Sequence, residues 1–372
     1  MRKTILHVSK YYHPYLGGIE TLVKSMAEGM TEYHNVVVCF SNNGESCTDI
    51  VNGITVHRVK VNFSLMSQDV AFGYFCTLKK LMAEYKPQYV HVHCPNPYVY
   101  PLVLRAINPN TKLILHWHSD ILSKGIAYKL IKPFEKAILK RADLIIATSP
   151  NYIHPSSPIF PYKKKIDIVQ NGMVTADFDK KEGDDKKIAD IKAQYGNKKL
   201  ILFIGRHIPY KGINWLIDIE KMTKSDCHFI IAGQGPLTPK LKELSTSQRI
   251  TFTGKLSTDD LRCYAHAADI FAFTSNTKAE AFGIALAEAM YCRCAPIVFH
   301  IEGSGVNWVS IKDQTGLEIP LGDLSGYAKA IDLLLTNHSL REKLAEAAHQ
   351  RVIDMFTEQK SVSIMEGVYK QL

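Results

Sequence analysis

Two carboxylates, Glu280 and Glu288, stand with seven residues between them in "TKAEAFGIALAEAM" (277–290), around an apolar Phe-Gly-Ile turn where a helical pattern begins. Acids so placed either decorate an ordinary helix or clamp the two ends of one ligand. A second constellation is "KLILFIGRHIPYKGINWL" (199–216). There a strand ends at Gly205, Arg206 follows at once, and Lys211-Gly212 sits just before a helix. A strand end, a helix N-terminus and two cations on one spot describe a diphosphate site, the alternative being a surface loop with incidental charges.

"YYHPYLGGIETLV" (11–23) opens the first helix after the first strand. Gly17-Gly18 lets a ligand approach the backbone and offers amide N–H groups at a helix start, although two glycines are not a dinucleotide fingerprint. In "LILHWHSDI" (113–121), His116, His118 and Asp120 alternate, which can turn all three to one side. One short strand rarely completes a metal sphere, so His118, nearest the strand end, is the candidate for a ligand site. His91 and His93 read as structural. "DFD" (177–179) has an Asp-x-Asp pattern that can hold a divalent cation, but it lies in polar sequence with no element to present it and reads as a solvated acid run.

The elements that must position these groups repeat in two halves. "TILHVS" (4–9), "NVVVCF" (35–40), "ITVHRV" (54–59), "YVHVHC" (89–94), "KLILHWH" (112–118) and "LIIATS" (144–149) are strands, and 19–30, 70–85 and 126–142 are helices. Near residues 168–185 the rhythm breaks, then strands resume at 199–205, 227–233, 249–254, 269–275, 294–299 and 316–320, with helices at 213–222, 258–267, 283–291 and 324–336. Apolar runs of this kind predict mainly parallel sheets flanked by helices, hence an α/β chain of two doubly wound domains. Ligands of such sheets bind at the carboxyl ends of the strands, and a cleft between two domains is the natural place.

With 372 residues, 46% hydrophobic and 22% charged, the composition is that of an ordinary globular protein. A net charge of +9 points to anionic partners, but no zinc finger, RNP-like or basic-aromatic pattern indicates nucleic acid. The eight cysteines, Cys292-x-Cys294 included, read as free thiols. The N-terminus has no signal-peptide pattern, and no apolar run reaches the ~18 residues of a spanning helix, so a cytoplasmic protein is expected.

"GGIE", "GRHIPYKG" and "EAFGIALAEAM", in that order, resemble the retaining glycosyltransferases of family 4, over nearly the whole chain. The resemblance implies the GT-B fold, two Rossmann-like domains facing across a cleft: an acceptor-side domain over 1–172, a nucleotide-sugar domain over 173–354, and a final helix in 355–372 crossing back to the first. It implies a nucleotide-diphosphate sugar as donor and a glycan or lipid-linked acceptor, with neither cofactor nor metal. By position, Glu280 contacts the transferred sugar and Glu288 the ribose diol, eight residues of helix spanning ~12 Å. Arg206 and Lys211 hold the diphosphate, the amides of Phe282, Gly283 and Ile284 face phosphate and sugar oxygens, and Gly17 and Gly18 line the donor. His118 lies beside sugar and acceptor. Retention implies front-face attack, with the leaving phosphate taking the acceptor's proton.

"HVHCPNPYVYPLVL" with "HWHSDI" is similar to bacterial transferases of O-antigen and other surface polysaccharides, several of which use GDP-mannose. "IEGSGVNWV" (301–309) departs from the commoner Gly-Gly-x-x-Glu loop, which keeps UDP-sugars in play. "SKGIAYKLIKPFEKAILKR" (123–141) carries Lys124, Lys129, Lys132, Lys136, Lys140 and Arg141 among apolar residues. Such a helix either rests on the anionic inner membrane or packs on its core with a charged outer face. The competing functions are a GT-B sugar-nucleotide epimerase and a non-catalytic nucleotide-sugar-binding subunit.

Overall fold

The computed structural model describes residues 2–15, 17–41, 43–65, 68–121 and 125–372, with backbone alone at 126 and 127. It divides into two compact units, Met1–Gly172 with Glu358–Leu372, and Met173–Thr357. Lys124 lies outside the described residues.

The N-terminal unit runs β1 (Thr4–Val8), α1 (Gly18–Gly29), β2 (His34–Phe40), β3 (Cys47–Val51), β4 (Ile54–Val59) and a small hairpin, β5 (Phe63–Leu65) with β6 (Gln68–Val70). There follow α2 (Tyr74–Tyr85), β7 (Tyr89–Cys94), α3 (Val99–Ala106), β8 (Lys112–Trp117), α4 (Ile126–Arg141), β9 (Leu144–Ala147) and β10 (Ile166–Ile168). The sheet order is β10-β9-β8-β7-β1-β2-β4-β3, parallel except for the β3 edge. All residues of β1, β7 and β9 are buried, which is why they read as unbroken apolar or histidine-spaced runs rather than alternating ones.

The second unit contains α5 (Asp184–Gln194), β11 (Lys199–Ile204), α6 (Ile213–Met222), β12 (Cys227–Ala232), α7 (Thr238–Leu244), β13 (Ile250–Gly254), α8 (Thr258–Ala267), β14 (Ile270–Phe273) and α9 (Ile284–Tyr291). It ends with β15 (Ala295–Phe299), α10 (Val306–Val309), β16 (Leu317–Ile319), α11 (Leu324–Thr336) and α12 (His338–Met355). Its sheet, β13-β12-β11-β14-β15-β16, is wholly parallel. Cores lie on both faces: Leu200, Leu202 and Phe271 pack on one, Ile201, Phe203 and Ile270 on the other.

The last helix, α13 (Glu358–Lys370), belongs to the N-terminal unit. Met365 and Tyr369 are fully buried beside Leu22, Met26, Tyr89 and Ile114. Tyr369 also places its hydroxyl 2.8 Å from His91 Nδ1.

In each unit the strand order reverses beside the first strand. The chain proceeds outward from β11 to β12 and β13, then returns to lay β14 on the other side of β11. The β11 and β14 loops therefore diverge at their carboxyl ends, where such sheets open a crevice.

Candidate active site

Arg206 and Lys211 leave the end of β11, and Glu280 leaves the end of β14, so the reversal brings residues about seventy positions apart onto one spot. Lys211 Nζ donates to Glu280 Oε2, with side chains 12% and 11% exposed. Ser275 Oγ donates to the same oxygen at 2.9 Å, and Ser304 Oγ donates to the Glu280 backbone carbonyl. The two loops are stitched together by Thr274 Oγ1 donating to Lys211 O (2.9 Å) and by Asn276 N donating to Tyr210 O (2.9 Å).

Gly212 makes this closeness possible. Its φ is +63°, and a Cβ there would lie 2.2 Å from Thr274 O. Gly283 (φ +89°) turns the chain into α9, with a Cβ position 3.1 Å from the Phe273 ring. Among the described residues no side chain caps α9. The first-turn N–H groups therefore remain available to an anion.

The Lys211 ammonium also sits 5.4 Å from the centroids of both Tyr210 and Phe273. Burial alone would lower its pKa, but Glu280 and Tyr210 outweigh that and raise it, so the charge is retained. Arg206 is exposed, close enough to act electrostatically on both Tyr210 and Lys211. Glu288 lies within α9, half-buried. Burial first, then Asp177, push its carboxyl up to about 7, against the pull of Lys211.

Asp177 and Asp179 are both exposed, as a solvated acid run should be, but they are not bystanders. Asp179 accepts from the Tyr291 hydroxyl, while Asp177 bears on Glu288.

The N-terminal unit holds the remaining candidates. Gly17 precedes α1 in extended backbone and Gly18 begins the helix. His118 follows β8, 5% exposed, and its backbone N–H donates to Cys94 O. Asp120 does not join His116 and His118 as their alternation suggested. Its carboxylate accepts from the Trp117 indole (2.9 Å) and from Ser157 Oγ (3.2 Å), because the strand ends at Trp117 and the period-two pattern ends with it.

His116 and His118 instead meet His7, His91 and His93 from the neighbouring strands, set by the registers His7–His91 and His93–His116. The nitrogens of His7, His91 and His93, and those of His93, His116 and His118, lie within 4.8 Å of one another. Burial holds all five rings neutral, His7 pushed down to about 4 and His118 to about 3. The closest nitrogens bond to each other rather than converging on one point.

Sequence reasoning reached Arg206, Lys211, Glu280 and Glu288. It missed Thr274 and Ser275, which carry no signal beyond lying in the same loop as Glu280, and Ser304, which reaches in from the loop after β15. It also missed His7, visible only as a polar residue inside an apolar strand. Cys292 and Cys294 are buried free thiols, as expected.

Residues 16–177 match Glycosyltransferase Family 4, and residues 184–351 match Glycosyl transferases group 1. An O-antigen chain mannosyltransferase C of Escherichia coli is 26% identical, across 99% of this chain and 98% of that protein. A D-rhamnosyltransferase of Pseudomonas aeruginosa is 28% identical, across 95% and 92%. Among solved structures, a sucrose-phosphate synthase from Thermosynechococcus elongatus superposes with a TM-score of 0.79 at 21% identity, covering 100% and 99% of the two chains. Anabaena HepE in complex with UDP gives 0.78 at 19% identity, covering 99% and 100%. The expected GT-B fold is the fold found.

Proposed function

The chain belongs to the family 4, group 1 glycosyltransferases, and from that premise we propose that it moves a sugar, with retention of configuration, from a nucleotide-diphosphate sugar to a glycan or lipid-linked acceptor of a bacterial surface polysaccharide. The observation that carries this reading is the Lys211–Glu280 pair at the strand reversal, flanked by Arg206 and the uncapped start of α9.

Lys211, Arg206 and the amides of Phe282, Gly283 and Ile284 stabilise the charge that gathers on the departing phosphate. The diphosphate competes with Glu280 for Lys211, so donor binding frees Glu280 to accept hydroxyls of the transferred sugar. Glu288 accepts the ribose diol. The phosphate oxygens receive the acceptor's proton on the same face. Two fixed cations and a helix start supply the positive charge that a metal supplies elsewhere, so turnover in EDTA is expected to match turnover in magnesium.

The resemblance to surface-polysaccharide transferases that use GDP-mannose favours a GDP-linked donor, and a mannosyltransferase among the relatives agrees with that sugar. A thermal-shift panel of nucleotide sugars tests the reading, because bound ligand raises apparent stability. Stabilisation by GDP- or UDP-sugars in EDTA is expected. An equal response to inorganic phosphate would refute it. Incubating donor alone separates the rivals: slow hydrolysis marks a transferase, epimer formation an epimerase, and no turnover with any acceptor a binding subunit.

Glu288 gives a pH prediction. Only the carboxylate accepts both diol hydroxyls fully, so nucleotide affinity is expected to rise with pH through about 7. The free protein behaves oppositely. Its folded state keeps a proton that the unfolded chain releases from 4.5 upward, so the group's contribution to stability falls as pH climbs from 4.5 to about 7. Calorimetric titration and thermal melts on either side of that window check both slopes, and Glu288→Gln should flatten them.

The acceptor side has its own observation. Among the described residues no helix is long and apolar enough to cross a membrane. On α4, however, Leu130 is 74% exposed and Phe134 is 45% exposed, between exposed Lys129, Lys132, Lys136 and Lys140. An apolar ridge inside a lysine border suits the anionic inner leaflet, where a lipid-linked acceptor resides. Co-sedimentation with anionic vesicles is expected, and Leu130→Glu with Phe134→Glu should abolish it while leaving binding to free nucleotide sugar unchanged.

A further inference from the structure

We propose that Asn35 is a positioning residue that sets the tautomer of His118 from three strands away, through His7 and His93. The relay begins at the helix end before β2. Asn35 Nδ2 donates to Met30 O at 2.9 Å. Flipping the amide would set two oxygens against each other, so Oδ1 is the atom facing His7 Nε2 at 3.2 Å.

An amide oxygen only accepts, so His7 carries its proton on Nε2. The ring is buried and neutral, which leaves Nδ1 bare. His7 Nδ1 is 3.3 Å from His93 Nε2, so His93 must donate there and keep its own Nδ1 bare. His93 Nδ1 in turn is 3.1 Å from His118 Nε2, so His118 donates from Nε2.

Ring orientation supports a true relay. The His93 and His118 ring planes are 5° apart, and centroids 5.4 Å apart with facing nitrogens at 3.1 Å place the rings end to end rather than face to face. His7 and His93 are 21° apart at 5.6 Å, the same arrangement. His91 and His116 lie on the chain's flank, stacked on His93 at 4.5 Å and on His118 at 4.1 Å, where they shield it from water.

The last member is therefore a neutral imidazole whose Nδ1 is an acceptor only. That atom is buried and has no partner among the described residues. Its complement is a hydroxyl donor, as a sugar supplies. That the hydroxyl belongs to donor or acceptor sugar rests on the proposed function, whereas the tautomer does not.

The test is a long-range proton–nitrogen NMR correlation on ligand-free protein carrying nitrogen-15 histidine, with His7, His93 and His118 assigned by single substitution. All three are expected as Nε2–H tautomers. Finding the Nδ1–H form at His118 overturns the proposal. In Asn35→Leu, and in His93→Leu further along the relay, the His118 Nδ1 resonance should move from the bare toward the protonated range. An unchanged His118 signal in either folded variant also overturns it, and should neither fold, the wild-type spectrum decides. Because no substrate is present, this result is independent of any transfer assay. A hydroxyl-bearing nucleotide sugar that shifts Nδ1 only in wild type would tie the relay to the site.

Discussion

Lys211→Ala is expected to lower turnover at saturating donor by about 10²–10³, the cost of removing one fixed donor from a developing oxyanion. The side chain is held by more than one contact: the Glu280 carboxylate, the Tyr210 and Phe273 rings, and a backbone pinned by Thr274. Without it Glu280 keeps Ser275 as a partner, so melting should show a loss of about 1–3 kcal/mol and a folded protein. Two explanations of lost activity remain to be separated. If Lys211 serves only to neutralise Glu280, then Lys211→Ala combined with Glu280→Gln should recover turnover. If its charge acts on the leaving phosphate, the double variant stays as slow as the worse single one, and that is the expected result. Lys211→Arg should not rescue, because a planar fork cannot occupy the slot of a compact ammonium between two rings.

The second large effect is structural. Arg262→Ala is expected to destabilise the second unit by about 3–5 kcal/mol, since it strands a buried carboxylate. Arg262 is 2% exposed and donates to Asp184 through Nε (2.6 Å) and Nη2 (3.1 Å), with Nη1 on Asp259 at 2.7 Å. Asp184 is 6% exposed and also accepts from Lys181 N and Cys263 Sγ. For a unit of this size the melting temperature should fall by roughly 10 °C. Arg262→Ala with Asp184→Ala should cost less than the single change, because neither charge is then left alone. The Asp184 carboxyl is held well below its usual range, chiefly by the Arg262 bonds. Its contribution is therefore present at neutral pH and lost in strong acid as the folded group takes a proton. By contrast, cutting the exposed pair Lys198–Asp226, at 40% and 73% exposure, should change stability by about 1 kcal/mol or less.

The strands were legible because apolar runs four to seven residues long have few other destinations in a chain of this composition. Those that escaped had other patterns. Burial alternates along β3 because it is an edge strand with one face in solvent, but "CTDIV" itself does not alternate, since Ile50 is 77% exposed. α3 contains Pro101, which masks a helix whose first turn tolerates it. α5 begins inside the lysine- and aspartate-rich sequence where the strand rhythm breaks, and escapes notice because only Ile188 and Ile191 mark its buried side along with Asp184.

At the site, Glu280, Glu288, Arg206 and Lys211 were readable from type and local spacing. Their meeting was not, since it depends on β14 returning beside β11 rather than extending the sheet past β13. The histidines show the same limit. His91 and His93 were read as structural and His118 as functional, yet register joins His93 to His118 in one hydrogen-bonded line. Register is a property of strand pairing and leaves no trace in any single strand.

The placement of α13 bears on how the molecule is made. Residues 173–357 are one contiguous stretch, entered and left through the neighbouring Met173 and Thr357 bridge. They can complete their core without any later residue. The first unit cannot: Met365 and Tyr369 are translated after everything else it contains, so its sheet waits, with the space beside Tyr89 and Ile114 unfilled, until the second unit has been synthesised. During that interval the nascent chain exposes an apolar seam that chaperones would find, and a stop codon just before residue 358 would leave it open for good.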